Sequence, residues 1–338
     1  MRAISLMRER ANGLGGGFAA YGIYPDHADE YALHVMYEDE DARHLTEEHL
    51  DRRLTLSESE PIPTRSVAGV PRGPLLWRYF GDLKPADDAD GSSDDDRMVD
   101  LVMHVNTQVP GAFIASSGRN MGIFKGVGFP EDIGRFYRLD EYEGWCWTVH
   151  GRFPTNSVAW WGGAHPFGIL DWSVVHNGEI SSYGINKRYL ENFGYVSALQ
   201  TDTEVLTYLF DLLVRRHGLD FVQTAQVLAA PLWTRIERMP EPERSLARTL
   251  RIVYSSALVN GPFSIIVGHS GGLMALNDRI KLRPMVVGRA GDLTLVSSEE
   301  APIHYVAPEV EDVWAPRGGE PVIVNLNEVE ETTPCPSR

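Results

Sequence analysis

The order of apolar and polar positions divides the chain into a strand-rich part, a helix-rich part and a second strand-rich part. Apolar positions at helical spacing predict helices at 2–10, 39–54, 186–194, 202–217 and, less regularly, within 220–260. Short apolar runs bounded by glycine, proline or acidic residues predict strands at 17–24, 31–37, 74–80, 98–105, 145–151, 160–180, 262–268, 272–278, 285–291, 292–298 and 321–326. This order of elements fits a layered sandwich of sheets and helices.

Residues 28–118 are predicted to form a small α+β subdomain inserted into one larger domain that spans residues 1–338. Within the insertion, a strand pattern, a helix pattern and two further strand patterns follow one another. The acidic stretch DLKPADDADGSSDDDR (82–97) separates the last two strand patterns and contains little that could anchor it in a core. Such a composition is typical of a solvated loop, and it could also be part of a docking surface.

Charge and composition exclude several classes of protein. The net charge of −16 argues against non-specific nucleic-acid binding and against a polybasic membrane contact. Because no apolar run has the length of a membrane span and the first residues lack the apolar centre of a secretion signal, we expect a cytoplasmic protein. Two cysteines are too few for a disulfide framework or an iron–sulfur cluster, and the 11 histidines show no metal-binding spacing. We therefore expect no metal and no cofactor in this chain.

Four short segments concentrate polar residues in the middle of the sequence. These segments are HGRFPTN (150–156), AHPF (164–167), HNGEI (176–180) and TDTEV (201–205). Each has a purely structural interpretation when taken alone. The Asn-Gly pair at 177–178 suits a two-residue hairpin turn, Thr201 and Glu204 fit a helix capping box, and Arg152 suits a surface ion pair.

Taken together, the four segments indicate a site for a free amino acid. Arg152 can bind an α-carboxylate through two parallel hydrogen bonds, Thr155 can add a third, and Asp202 can accept from an α-ammonium group. A turn that exposes the backbone N–H of Gly178 beside the amide of Asn177 offers two donors to an oxyanion. This combination favours acyl transfer from a small zwitterion.

The same segments resemble those of the class II glutamine amidotransferases, which are N-terminal nucleophile hydrolases. Longer blocks are similar to the stand-alone amidotransferase subunit of archaeal-type glutamate synthase and to its relative in N-methylglutamate synthase. These blocks are GLGGGFAAYGIYP (13–25), GRNMGIFKGVGFPEDI (118–133), WWGGAHPFGILDWSVVHNGEISSYGINKRYLE (160–191), LVNGPFSIIV (258–267) and LNDRIKLRP (276–284). The resemblance covers roughly residues 2–325 and implies a four-layer αββα fold of the α+β class, with two antiparallel sheets stacked between helical layers.

The resemblance also implies a role for each site residue. Arg152 and Thr155 would hold the α-carboxylate of glutamine, and Asp202 would hold its α-ammonium group with help from the Gly178 carbonyl. Asn177 and the Gly178 N–H would form the oxyanion hole. Two histidines are expected behind these residues, not in contact with glutamine: His165 and His176.

The expected nucleophile is missing from the sequence. In this family it is an N-terminal cysteine whose own α-amine serves as the general base, whereas this sequence begins Met1-Arg2. Cys335 lies far from the expected position, and Cys146, between two tryptophans, is expected to be a small buried apolar side chain. Judged by the family pattern, the first strand and the start of the first helix are absent. We expect a start codon assigned too far downstream or a shortened chain, because the amino-acid clamp is intact; the alternative is a true loss of the nucleophile.

The function implied by the resemblance is a subunit that hydrolyses glutamine to glutamate. The ammonia would pass to a glutamate synthase-type partner subunit, which carries flavin and iron–sulfur centres in the family. The alternative is a catalytically inactive subunit that binds glutamine and regulates the partner. Both alternatives for the final acceptor, 2-oxoglutarate or methylamine chemistry, stay open.

Overall fold

The computed structural model describes residues 1–85, 91–153 and 159–326. The described helices are α1 (Arg2–Ser5), α2 (Glu40–Arg53), α3 (Asp94–Gln108), α4 (Pro130–Phe136), α5 (Tyr183–Glu191), α6 (Asp202–Phe210), α7 (Phe221–Leu228), α8 (Trp233–Ile236), α9 (Glu243–Val253) and α10 (Ala301–Val306). The described strands are β1 (Gly16–Tyr21), β2 (Tyr31–Tyr37), β3 (Leu54–Pro61), β4 (Leu75–Leu83), β5 (Ala112–Ser116), β6 (Met121–Gly126), β7 (Cys146–Gly151), β8 (Phe167–Ile169), β9 (Trp172–Gly178), β10 (Phe263–His269), β11 (Gly272–Asn277), β12 (Val286–Ala290), β13 (Leu293–Ser297), β14 (Asp312–Trp314) and β15 (Val322–Asn325).

The strands form four antiparallel sheets. The two central sheets have the strand orders β6-β1-β7 and β15-β11-β10-β9-β8, and they face each other because β7 packs against β9 and β10. The outer face of the first sheet is covered by α4, which packs on β1, β6 and β7, while α6 covers the second sheet at β8 and β9. This succession of helix, sheet, sheet and helix confirms the predicted αββα class.

The innermost helix is buried on every side. Within α6, all eight residues from 203 to 210 are buried, and the helix continues directly into a π-helical turn at Asp211–Arg216. Thr201 caps its start, since its side chain accepts a hydrogen bond from the N–H of Glu204. A capped and fully packed helix gives its first turn a fixed position, and that turn carries Asp202.

The prediction of a strand at 98–105 is wrong, because this apolar run lies inside α3. Ser93 caps the helix by accepting from the N–H of Asp96, and three aspartates at 94–96 occupy the first turn, where the helix dipole favours negative charge. The end of the predicted acidic loop is therefore the start of a helix. A run with few polar positions shows no clear period, which explains the error. Residues 86–90 of the same stretch lie outside the described residues.

The region of the predicted insertion contains its own sheet. Strands β3, β4, β2 and β5 pair in that order, and α2 and α3 pack on β2, β3 and β5. The helix α2 confirms the pattern at 39–54, while the strand β3 was not expected. Buried side chains of this sheet, such as Leu33 and Val35, belong to the same apolar cluster as Leu206 and Leu209 of α6. The limits 28–118 for a separate subdomain stay a prediction.

The fourth sheet, with the order β13-β12-β14, lies beside α10, and α10 also packs against α1. In the part of the chain that the structure describes, no helix has both the length and the apolar character needed to cross a bilayer.

Candidate active site

The predicted site residues meet at one cavity of about 1010 Å³. The cavity is bordered by the end of β7, the end of β9 and the start of α6, so that three segments separated along the chain converge on it. The predicted residues that line it are Arg152, His165, His176, Asn177, Gly178 and Asp202. Thr155 lies outside the described residues.

Arg152 follows directly after β7 and is held there by its backbone. Its N–H donates to the Gly15 carbonyl at 2.8 Å, and its carbonyl accepts from the N–H of Asn12. Burial lowers the pKa of the guanidinium, and the negative charge of Asp202 opposes this shift.

Asp202 opens α6 and is anchored from several directions. Its Oδ2 accepts from the Ile180 N–H at 3.2 Å, and its Oδ1 lies 3.3 Å from the Thr203 hydroxyl and 3.6 Å from the His176 Nδ1. Burial alone would raise the pKa of this carboxyl, but His176, Ile180 and Thr203 together hold it below the ordinary value. Asp202 is therefore a carboxylate at neutral pH, opposite a guanidinium in the same cavity.

Thr203 joins two buried histidines behind the carboxylate. Its Oγ1 lies 3.2 Å from the His165 Nε2 and 3.3 Å from the His176 Nδ1. Because the His165 Nδ1 accepts from the His176 backbone N–H, a neutral His165 carries its proton on Nε2 and donates to the threonine. The threonine hydroxyl is then free to donate to Asp202. The network thus directs hydrogen bonds toward the carboxylate and fixes its orientation.

Burial keeps two imidazoles of this region neutral. Burial lowers the pKa of His165 well below its usual range, and the nearby charges of Arg152 and Lys125 act in the same direction. Burial likewise lowers the pKa of His150 to about 3. The rings of His150 and His165 lie 4.3 Å apart between centroids. Neutral rings in contact can pack and exchange hydrogen bonds without charge repulsion.

Asn177 and Gly178 end β9 and do not form the hairpin turn that their sequence suggested. They pair in antiparallel register with Ser264 and Phe263 of β10. Gly178 has a φ of +152°, and a Cβ atom there would lie 1.9 Å from the Pro262 carbonyl oxygen, so only glycine fits. The strand end brings Asn177 and Gly178 to the lining of the cavity.

No cysteine lines the cavity among the described residues. Cys146 is buried, as predicted, and its Sγ lies 3.9 Å from the Gly272 carbonyl oxygen. Burial raises the pKa of this thiol to about 12, and a thiol that stays protonated is a poor nucleophile. Cys335 lies outside the described residues. No group of three or more histidine, cysteine or acidic side chains in the described part of the chain could hold a metal ion.

Sequence reasoning named the segments of the site but missed two of its members. Thr203 and His150 both lie within segments that were singled out, yet neither was assigned a role. The signal for Thr203 was its place beside Asp202 at the start of a helix, where a short hydroxyl can reach neighbouring loops. His150 shares β7 with Thr148, on alternate positions that face the second central sheet.

Comparison with known proteins identifies the class of this arrangement. The sequence profile of the class-II glutamine amidotransferases matches residues 97–330. The chain therefore belongs to the class-II glutamine amidotransferase family.

Individual relatives support the same family. The chain is 51% identical to an uncharacterized protein of Archaeoglobus fulgidus, across 98% of this chain and 88% of the relative. It is 25% identical to a protein of Methanothermobacter thermautotrophicus, named provisionally as a glutamine amidotransferase, across 88% and 85% of the two chains. It is also 27% identical to the large chain of NADPH-dependent glutamate synthase of Bacillus subtilis, across 65% of this chain and 15% of that one.

Proposed function

We propose that the protein binds glutamine in the cavity and hydrolyses it to glutamate and ammonia. The observation that carries this proposal is the convergence of Arg152, Asp202 and the Asn177–Gly178 strand end on one cavity. A guanidinium and a carboxylate near each other match the carboxylate and ammonium of an amino acid. The donors at 177–178 line the same cavity, where they would meet the side-chain carbonyl of the bound amino acid.

In the proposed reaction, a cysteine thiol attacks the amide carbon of glutamine after transferring its proton to an N-terminal α-amine. The negative charge that develops on the amide oxygen is stabilised by the Asn177 side chain and the Gly178 N–H. The intermediate expels ammonia, which takes the proton from the ammonium group, and leaves a γ-glutamyl thioester. Water then attacks the thioester, and glutamate is released as the thiol is regenerated.

We propose that this cysteine is carried on an extended segment that lies in the cavity beside β7. Among the described residues, β7 pairs on one edge only, with β1, and β13 pairs on one edge only, with β12. Residues of both strands line the cavity. Unpaired strand edges normally bind another strand or are covered. The volume is at the top of the range of about 300–1,000 Å³ for drug-sized ligands, so glutamine, a smaller molecule, uses only part of it.

Buried polar atoms around the cavity support an occupant with hydrogen-bonding groups. Among the described residues, Thr148 Oγ1, His150 Nδ1 and His176 Nε2 are buried without a hydrogen-bond partner, and all three residues line the cavity. Buried polar groups in proteins are nearly always satisfied. A polypeptide segment that carries its own N–H, carbonyl and side-chain groups would satisfy them.

We further propose that the ammonia is delivered to a partner subunit of glutamate synthase type that carries flavin and iron–sulfur centres. The similarity to the glutamate synthase large chain supports this proposal. Native protein purified from its own cells should co-elute with such a subunit, and glutamine should then support amination by the complex without free ammonia in the medium. Co-elution with a different ammonia-consuming enzyme would contradict the assignment of the partner.

A second function is favoured by the absence of a cysteine from the cavity in the described residues. In this alternative the protein binds glutamine without hydrolysing it and regulates a partner. Calorimetry with L-glutamine, with D-glutamine as the control, measures binding, and an ammonia assay on the same sample measures turnover. Binding with turnover supports the enzyme, binding without turnover supports the regulatory subunit, and the absence of binding contradicts both.

A further inference from the structure

A lysine is fully buried beneath the proposed glutamine site. Lys125 lies on β6 and has no exposed surface. Its Nζ lies 4.2 Å from the centroid of the Phe167 ring and 5.2 Å from that of Phe113. Burial of an ammonium group in apolar surroundings is costly, so a lysine at such a position needs specific partners.

The partners of Lys125 belong to the two segments that carry the site. Its Nζ donates to the Pro166 carbonyl at 3.1 Å, and Pro166 follows directly after His165. The Glu204 carboxylate, two residues after Asp202, is near enough to raise the pKa of the lysine. The aromatic faces and these two oxygen-bearing groups offset part of the cost of burial.

The Glu204 side chain is held in place by several hydrogen bonds. Its carboxylate accepts from the N–H groups of Ala198 and Leu199 at 2.9 and 3.0 Å, and from the Tyr208 hydroxyl at 3.2 Å. It is buried, with 2% of its surface exposed. The carboxylate whose charge acts on Lys125 therefore ties the loop before α6 to the first turn of this helix.

We propose that Lys125 is a positioning residue for the glutamine site, whose charged Nζ holds the His165–Pro166 loop and the first turn of α6 at the separation that Asp202 needs. The two halves of the network Asp202–Thr203–His165 come from these two segments. Lys125 is hydrogen-bonded to the first segment and attracted by the Glu204 charge of the second. This inference rests on the proposed function, because it deepens the account of the same site.

The Lys125 ammonium group loses its proton near neutral pH. Burial lowers the pKa of its ammonium to about 7; Glu204 opposes this shift and Arg152 adds to it. The titratable groups that act on Lys125 are Glu204 on α6, Arg152 after β7 and His165 in the loop, of which His165 is neutral. Because the protonated form holds both segments, glutamine binding should weaken as the pH rises through the pKa of the lysine.

Stability should depend on pH in the opposite sense. Between the folded pKa of about 7 and the unfolded value of about 10.4, the unfolded chain binds more protons at this group. Its contribution to the free energy of unfolding therefore rises as the pH rises across that window. Replacement of a buried charge by an apolar group of similar volume is often neutral or stabilising. If Lys125 positions the site, its replacement should therefore weaken glutamine binding without lowering the free energy of unfolding.

The test compares Lys125→Met and Lys125→Arg with a matched control, Lys84→Met, at an exposed lysine after β4. Calorimetry between pH 6 and pH 9 should show that Lys125→Met weakens glutamine binding about tenfold at pH 6.5, as for one charge-assisted hydrogen bond. The unfolding temperature should stay the same or rise, and the pH dependence of binding seen in the wild type should disappear. Lys125→Arg keeps its charge, so its affinity for glutamine should not fall above pH 7. If this larger side chain prevents folding, the result for Lys125→Met alone tests the proposal. The control should match the wild type.

The proposal is overturned if Lys125→Met binds with the wild-type affinity and pH profile, or if it loses stability and binding together. Absence of glutamine binding by the wild type at every pH would instead overturn the proposed function. In that case, nitrogen NMR of the His165 ring tests the positioning role of Lys125 in the absence of a ligand. Lys125→Met should change the ring resonances of His165, and an unchanged spectrum would contradict the positioning role.

Discussion

Replacement of Asp202 by asparagine removes one negative charge from the cavity and almost no volume. The asparagine carbonyl oxygen can still accept from the Ile180 N–H, which the carboxylate does at 3.2 Å. The first turn of α6 should keep its position, since Thr201 and Glu204 hold it independently. What is lost is the charge that would pair with the α-ammonium group of glutamine.

The expected loss of affinity follows from the surroundings of the carboxylate. Only 24% of the Asp202 side chain is exposed, so solvent screens its interaction weakly. A hydrogen bond to a charged group contributes about 1.5–3 kcal/mol, and each 1.4 kcal/mol changes an equilibrium tenfold. Asp202→Asn should therefore weaken glutamine binding about 10- to 150-fold, whereas the unfolding temperature should change by a few degrees at most.

Calorimetric titration with L-glutamine measures the effect, with Asp220→Asn as the matched control. Asp220 caps α7 and does not line the cavity, so the same chemical change there should leave the affinity unaltered. A folded Asp202→Asn protein with wild-type affinity would refute the assignment of Asp202 to the ammonium group. An equal loss in Asp220→Asn would show that the effect is not specific to the site.

Three further outcomes are expected. Arg152→Lys should weaken glutamine binding about tenfold by calorimetry, because a lysine cannot make two parallel hydrogen bonds to a carboxylate; unchanged affinity would contradict its role. The free energy of unfolding, measured with urea, should be largest above about pH 6.5 and fall below it, because His150 and His165 have lowered pKa values in the folded protein; stability that is flat down to pH 5 would contradict this. In a Cys335→Ser background, Cys146 should not react with a thiol reagent until the protein unfolds, since burial raises its pKa to about 12; rapid labelling of the folded protein would refute its burial.

The sequence could predict those parts of the molecule that depend on short, local patterns. The helix at 39–54 and the strands β1, β2 and β10 show a clear period or clear boundaries, and the structure has them. The site segments could be recognised because the charged and amide groups of Arg152, Asp202 and Asn177 stand out among apolar strands.

The errors have physical causes in longer-range contacts. The run at 98–105 is so apolar that neither a helical nor a strand period is visible in the sequence. The Ser93 cap and the packing of the buried side chains stabilise the helix. The Asn-Gly pair at 177–178 extends a strand because β10 pairs with it across 85 residues of sequence. The hydrogen bond between Lys125 and the Pro166 carbonyl joins residues that are 41 positions apart in the sequence, so no local pattern could reveal it.

In the proposed mechanism, an N-terminal cysteine completes the cavity and attacks glutamine. The most direct test treats native protein, purified from its own cells, with an electrophilic analogue of L-glutamine and identifies the labelled residue by mass spectrometry. We expect one label, on the N-terminal cysteine of the native chain, and protection from labelling by L-glutamine. A label on Cys146, or no label on the native protein, would contradict this mechanism.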